Sequence, residues 1–208
     1  MATLSDLKTR IITETNRDDL NDELANALTL CIQQSIDFYK NSRFWFNELR
    51  TTTTATAGSE YIPIPSGYAF VDELRIVVGG VRYGMTKHHM DWIEEMYSVP
   101  LIGQPTDWCE YHSQARIWPT ANINYQLIWF GVSDVTPALD YDDPNSTNDW
   151  LTHGYDLIDA RTRFLLYRDY FRDDGGMAIA KAAETESFSN LKSRSNRLIS
   201  SGRIRSQW

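Results

Sequence analysis

Proline is missing from both ends of this 208-residue chain. All seven prolines lie between Pro63 and Pro144, so the first sixty and the last sixty residues contain none. Proline breaks the interior of a helix, and in a sheet it is confined to edges and bulges. Its distribution therefore predicts helices at both ends of the chain around a non-helical insert.

Cysteine is scarce, and long apolar runs are absent. The two cysteines, Cys31 and Cys109, are too few for a disulfide framework, which indicates a reducing compartment. No stretch approaches the roughly eighteen apolar residues of a membrane span, and the N-terminal MATLSDLKTR lacks the apolar region of a signal peptide. We therefore expect no contact with a membrane.

The usual signatures of catalysis and of cofactor binding are also missing. The sequence has no G-x-S-x-G motif, no phosphate-binding loop and no dinucleotide fingerprint. His88, His89 and Asp91, together with His112 or Cys109, do not have an established metal-ligand spacing. We expect no metal, no other cofactor and no enzyme activity.

Two groups of aspartates are the remaining candidates for catalysis: Asp140, Asp142 and Asp143, and the pair Asp173 and Asp174. They could form a calcium loop or the acid/base pair of a glycosidase. The first group lacks the glycine and the terminal glutamate of an EF-hand loop, and isolated aspartates are usually solvated. A carboxylate-dependent hydrolase is therefore the least favoured alternative.

Periodicity supplies the positive evidence for fold. Thr3, with Asp6 three positions later, suits a capping box at the start of a short helix. A second helix from about Asp18 to about Leu49 would be on the order of 48 Å long. Helical spacing returns from Trp150 to Leu165 and again over Met177–Phe188. Between these helices the period drops to two, with a hairpin signal at Gly79-Gly80.

These patterns predict an α+β protein with an elongated helical bundle built from both chain ends, an inserted small antiparallel β module and an extended C-terminal tail. The predicted boundaries are residues 1–50 and 145–190 for the helical domain, 51–144 for the β module and 191–208 for the basic tail.

Charge is distributed unevenly along the chain. The formal net charge is −8, yet residues 191–208 carry five basic residues and no acid, so residues 1–190 carry −13. Such a tail could bind nucleic acid, remain solvated, or order on a partner protein. Large apolar residues such as Leu198, Ile204 and Trp208 alternate with the arginines and favour the third reading. Nucleic-acid binding stays open as the main alternative.

Three consecutive aromatic residues, Phe44, Trp45 and Phe46, stand at the end of the predicted long helix. Consecutive side chains on a helix point in different directions. We expect at least one to join the helical core and another to meet the β module or a neighbouring subunit. The sequence therefore predicts a hinge from helix to β module at these residues rather than a ligand site.

Several segments, in this order, resemble the head-to-tail adaptor proteins (tail accessory or head completion proteins) of tailed phages, most closely those of short-tailed phages. The resemblance covers roughly residues 1–175. It is carried by RFWFNE at 43–48, the threonine run that follows, YIPIPSGY at 61–68, GQPTDWCEY at 103–111, IWP at 117–119 and the strand that ends at Trp129-Phe130.

The resemblance implies a structural virion protein at the head-tail interface, assembled in the host cytoplasm. It implies a ring of twelve copies between the portal protein and the tail nozzle or other tail proteins, with genomic DNA passing through the channel without specific binding. It also implies docking on the portal through the C-terminal tail. The residues expected to dock are Lys192, Arg194, Arg197, Leu198, Ile199, Arg203, Ile204, Arg205 and Trp208.

Overall fold

The computed structural model describes residues 2–16, 22–98, 101–134 and 139–200, except for the side chains of residues 199 and 200. The chain divides into two compact units. One consists of Met1–Asn47 with Thr136–Trp208, and the other, inserted into it, is Glu48–Val135. Each unit has its own hydrophobic core.

Six α-helices lie within the described residues. Five belong to the first unit, called here the helical unit: α1, α2, α4, α5 and α6. The bounds are α1 Leu4–Thr15, α2 Asp22–Tyr39, α3 Met90–Met96, α4 Asp149–His153, α5 Tyr155–Leu166 and α6 Asp174–Ser200. A 3-10 turn at Trp45–Asn47 precedes the inserted unit, and a π-helical turn at Tyr167–Phe171 continues α5.

The helix ends follow local rules. Thr3 and Asp6 form a capping box at the start of α1, as the sequence predicts, and Asn16 ends that helix in the left-handed conformation. At the start of α6, the Asp173 carboxylate accepts hydrogen bonds from the backbone N–H groups of Gly175 and Gly176. A Cβ on Gly176 would lie 2.5 Å from the Tyr167 ring, so this position needs glycine.

Among the described residues of the inserted unit, called here the β unit, ten strands form three sheets. The bounds are β1 Glu48–Ala55, β2 Tyr61–Pro63, β3 Tyr68–Val78, β4 Val81–Gly84, β5 Thr86–Lys87, β6 Ile102–Gly103, β7 Asp107–Tyr111, β8 Gln114–Trp118, β9 Thr120–Ala121 and β10 Tyr125–Ser133. The strand orders are β1-β10-β3-β4, β2-β8-β7-β5 and β6-β9.

The first two sheets share one core. Leu74 and Trp129 from the first sheet are packed with Trp108 and Ile117 from the second, and all four are fully buried. The register between β10 and β3 shifts beside Gly131, where a Cβ would lie 2.2 Å from the Phe70 carbonyl oxygen. The hairpin predicted at Gly79-Gly80 joins β3 to β4 and uses positive φ at both glycines.

The predicted α+β class is confirmed, but the prediction of an elongated helical bundle carrying a small antiparallel module is wrong. The ten strands make up three sheets, and two of the strand pairs, β5 with β7 and β6 with β9, are parallel. These parallel pairs involve two-residue strands, which are too short to show an alternating pattern in the sequence.

The prediction of a long second helix is also wrong at its C-terminal end. Residues 18–21, at the predicted start of this helix, lie outside the described residues. Helix α2 ends at Tyr39 because the side chain of Asn47 binds the backbone that would continue it. Asn47 donates to the carbonyls of Lys40 and Ser42 and accepts from the N–H of Phe44. Such side-chain-to-backbone hydrogen bonds compete with helix continuation.

The prediction of an extended tail is also wrong for residues 191–200, which continue helix α6. Leu191 belongs to the core of the helical unit and Ser195 is buried. Leu191 lies seven residues after the buried Glu184, and Ser195 lies four residues after Leu191. This helical spacing shows that one buried face of α6 continues into the basic segment. Residues 201–208 lie outside the described residues.

Candidate assembly surfaces

The predicted hinge residues lie in the helical unit, immediately before the boundary at Asn47. Phe44 is fully buried, and its ring centroid is 5.7 Å from that of Trp150. The Phe46 ring lies 5.0 Å from the same tryptophan, edge to face. This aromatic cluster therefore fixes the last turn of the helical unit to α4.

Arg194, in the described part of the basic segment, contacts the predicted hinge. The Arg194 guanidinium carbon lies 4.7 Å from the centroid of the Trp45 ring. The same indole also contacts His153, whose ring centroid is 5.3 Å away. Two groups of residues that the sequence predicts separately are thus brought together in one unit.

A small cavity of about 180 Å³ lies beside this contact, between the start of α5 and one face of α6. Its lining includes His153, Asp156, Asn190 and Arg194. Pockets for small-molecule ligands are usually about 300–1,000 Å³. The size and polarity of the cavity therefore suit a side chain of a partner better than a cofactor.

The remaining residues of the predicted docking segment are only partly described. Lys192 is exposed, with its ammonium 5.8 Å from the Phe188 ring, and Arg197 and Leu198 are exposed near the end of α6. The side chain of Ile199 and all of Arg203, Ile204, Arg205 and Trp208 lie outside the described residues.

A buried charged cluster that the sequence did not reveal joins α2, α5 and α6. The Glu184 carboxylate accepts hydrogen bonds from the Tyr39 hydroxyl at 2.5 Å, from Arg161 at 3.2 Å and from Lys181 at 2.9 Å. Burial pushes the pKa of Glu184 upward, but these donors and their charges outweigh it and hold the pKa below its ordinary value. Burial, followed by the Glu184 carboxylate, raises the pKa of Tyr39.

This cluster supports a surface feature. The Arg161 guanidinium lies 3.9 Å over the ring of Phe38, a residue that remains 58% exposed. The only sequence signal for the cluster was the helical spacing of Lys181 and Glu184, which is too common to indicate burial.

A second buried cluster joins α1 to α5. Asp159 is fully buried, 2.8 Å from Arg163 and 3.6 Å from Arg10. Burial is the main reason that the pKa of Asp159 rises to about 6, against the opposing charge of Arg163. Glu14 contacts Arg163 at 2.6 Å and raises the pKa further.

Two of the residues considered for metal binding, His88 and Cys109, have structural partners. His88 is 2.8 Å from an Asp107 carboxylate oxygen and is stacked on Trp92. The Cys109 thiol is buried 3.3 Å from the Met90 sulfur. Across the described ranges, no group of three or more His, Cys, Asp or Glu residues is arranged to hold a metal ion.

The candidate acidic groups bind backbone in turns. Asp140 accepts from the N–H of Asp142, and Asp143 accepts from that of Asn145. Asp173 caps α6, as described above. Of the helices that the structure describes, none has the length and apolar character needed to span a membrane.

The fold and these contacts define an α+β protein of two units, in which the aromatic hinge residues and Arg194 lie in the helical unit. The chain matches the family described as SU10 adaptor protein over residues 2–206, and it belongs to that family. This membership supports a phage head-tail adaptor, a structural and non-enzymatic component of the virion. The search of curated proteins gave no match.

Proposed function

We propose that this chain forms the adaptor ring of a short-tailed phage, with twelve copies bound between the portal and the tail nozzle or other tail proteins. The genome would pass through the ring during ejection. The observation that carries the proposal is the family match, which extends over residues 2–206 and so includes the basic segment at the end of the chain.

The charge distribution supports the two roles that this proposal requires. Residues 1–190 carry −13, and negative charge facing a channel would let DNA slide without binding. Lys192, Arg194 and Arg197 lie in the last turns of α6, where positive charge interacts favourably with the helix dipole. An acidic portal surface would attract this end of the helix.

The proposed hinge rests on the position of the aromatic cluster. Phe44 and Phe46 are packed on Trp150, and Asn47 closes the turn that leads into β1. We propose that Phe44, Trp45 and Phe46 are the hinge from the helical unit to the β unit, and that this packing fixes the last residues of the helical unit before β1.

Binding of the full-length protein to purified portal rings tests the proposal. We expect wild-type protein to form rings on the portal, visible by electron microscopy and countable by light scattering. Reversing one exposed charge in the basic segment, Arg197→Glu, should weaken portal binding by about tenfold. Arg172→Glu, an exposed reversal outside that segment, is the matched control and should have little effect.

A wild-type protein that ignores portal rings would contradict the proposal. Strong, salt-sensitive binding of duplex DNA that is lost in Arg197→Glu and retained in Arg172→Glu would favour the nucleic-acid-binding alternative instead.

A further inference from the structure

The two outer strands of one four-stranded sheet, the sheet that contains β1 and β4, have open edges. In the order β1-β10-β3-β4, the outer strands β1 and β4 are each paired on one side only among the described residues. An edge strand presents a row of unpaired backbone N–H and C=O groups, and another extended segment can pair with it.

The other four-stranded sheet of the same unit has protected edges. Its outer strands are β2, which has three residues including Pro63, and β5, which has only two. Short edge strands and edge prolines are common means of preventing further pairing. By contrast, β1 has eight residues, pairs with β10 without a register shift and contains no proline. Its centre, Thr51–Thr54, is uncharged.

The opposite edge, β4, carries apolar side chains that suit such pairing. Val81 is 53% exposed and Tyr83 is 48% exposed. Tyr83 is the cross-strand partner of Ile76, a buried core residue, so these two side chains continue the core face of the sheet beyond its edge. On β1, Thr51 and Thr53 lie on that same face, opposite the core residues Trp129 and Leu127.

Strand direction makes the two edges complementary. Each neighbouring pair in this sheet is antiparallel, so the first and fourth strands are antiparallel to each other. The β4 strand of a second copy can therefore lie beside β1, continue the antiparallel sheet and keep its core face on the same side. Because this contact uses two different surfaces, it is heterologous, and repetition of such a contact produces a closed ring when the rotation permits.

We propose that the open edge of β1 is a subunit interface, on which the β4 strand of the neighbouring copy adds by backbone hydrogen bonding. A second copy is the occupant because both halves of the contact are present on this chain, matched in direction and in face. The inference rests on the proposed function in taking the closed assembly to be the adaptor ring.

Side-chain chemistry disfavours one register for this pairing and favours another, in which both apolar residues of β4 lie opposite threonines. Placing Arg82 opposite Arg50 would bring like charges together, which is unfavourable. Placing Arg82 opposite Thr52 instead pairs Tyr83 with Thr51 and Val81 with Thr53, and keeps all four residues of β4 within the length of β1. Aromatic and β-branched cross-strand pairs of this kind are favourable.

Disulfide trapping in the full-length protein tests the interface. In the double variant Thr52→Cys, Arg82→Cys, paired strands would hold the two new thiols within bonding distance. We expect mild oxidation of the assembled protein to give a ladder of covalent oligomers on a non-reducing gel. The native cysteines are buried and should not react. The matched control is Thr52→Cys, Tyr111→Cys, with the second thiol at an exposed position of the other sheet, and should give no ladder.

A pair of proline variants supplies a second measurement. Successive N–H groups of an edge strand point alternately to the neighbouring strand and to the open side. Of Thr51→Pro and Thr52→Pro, one therefore removes a bond to β10 and the other removes only an outward donor. We expect the variant that keeps the wild-type unfolding midpoint to assemble at least about tenfold more weakly.

The outcomes separate this inference from the proposed function. Rings that form on the portal from the double-cysteine variant without a ladder, while both folded proline variants assemble normally, would overturn the interface and leave the adaptor function standing. A ladder in a protein that never binds the portal would support the interface and contradict the function. Absence of both ladder and ring would overturn both.

Discussion

Asp159 has a role in stability that depends on pH. The residue is fully buried, and its Oδ1 has no hydrogen-bond partner among the described residues, while Oδ2 contacts Arg163. The folded protein raises the pKa of this carboxyl from the ordinary 3.8 to about 6. Between these two pH values the folded state therefore binds a proton at Asp159 more tightly than the unfolded chain does. Folding thus favours the protonated carboxyl over the charged carboxylate.

We expect this carboxyl to stabilise the fold as the pH falls. Its contribution is fully present below pH 3.8 and is lost as the pH rises through about 6. Relative to Asp159→Asn, which cannot titrate, the free energy of unfolding of the wild type should increase by about 2 kcal/mol between pH 7 and pH 4. Urea unfolding at a series of pH values measures this difference.

Asp156→Asn is the control for that comparison, because Asp156 also contacts Arg10 but its side chain is 72% exposed. This variant keeps the buried Asp159 and should therefore still gain stability as the pH falls. Equal slopes for the wild type and for Asp159→Asn would show that Asp159 does not titrate in this range.

At the scale of an element, helix α6 carries both core and surface. Leu191 is buried in the core of the helical unit, whereas Leu198, seven residues later, is exposed. The basic character of residues 191–200 therefore belongs to the outer side of a packed helix. This arrangement changes what a truncation is expected to do.

We expect deletion of residues 191–208 to destabilise the helical unit, because it removes Leu191 from the core. Leu191→Ala should cost about 2–3 kcal/mol of unfolding free energy because it leaves a cavity in the core. Chemical unfolding followed by circular dichroism measures each effect. Leu198→Ala is the matched control and should change stability by less than about 0.5 kcal/mol. A stable 1–190 protein would contradict the role of α6 in the core.

Several elements could be predicted from the sequence because their signals are local. The capping box at Thr3 and the hairpin at Gly79-Gly80 need only neighbouring residues, and both predictions are confirmed. The end of α2 could not be predicted because it depends on a hydrogen bond from the Asn47 side chain to the carbonyl of Lys40, seven residues earlier. Helix propensities describe single residues and do not include such a bond. The basic segment was misread because its charges suggested a tail, although helical spacing continued through Leu191.

The assembly surfaces were harder to predict for the same reason. The contact between Arg194 and Trp45 joins residues that are far apart in the sequence. Burial of Glu184 likewise depends on Tyr39 from another helix. The sequence indicated that the aromatic run and the basic segment were distinctive, but the contacts that these residues make depend on the tertiary structure.

At the scale of the whole molecule, the β unit is a self-contained insertion. It has its own core, and its first residue, Glu48, is paired with Val132 in the last strand. The chain thus enters and leaves this unit along two adjacent strands, about 5 Å apart.

We expect a fragment of residues 48–134 to fold alone, because its core and its sheets are complete within these bounds. Tryptophan fluorescence should show one cooperative unfolding transition, and amide NMR signals should be well dispersed. A fragment of residues 57–134, which lacks β1, is the control and should not fold, because β10 loses eight paired residues. A soluble 48–134 fragment without a cooperative transition would contradict this division of the chain.

The neighbouring positions of Glu48 and Val132 have a consequence for how such proteins can diversify. Recombination at these two positions of the gene could exchange the entire β unit while the helices of the other unit keep their packing. The residues of the helical core would then need no compensating change.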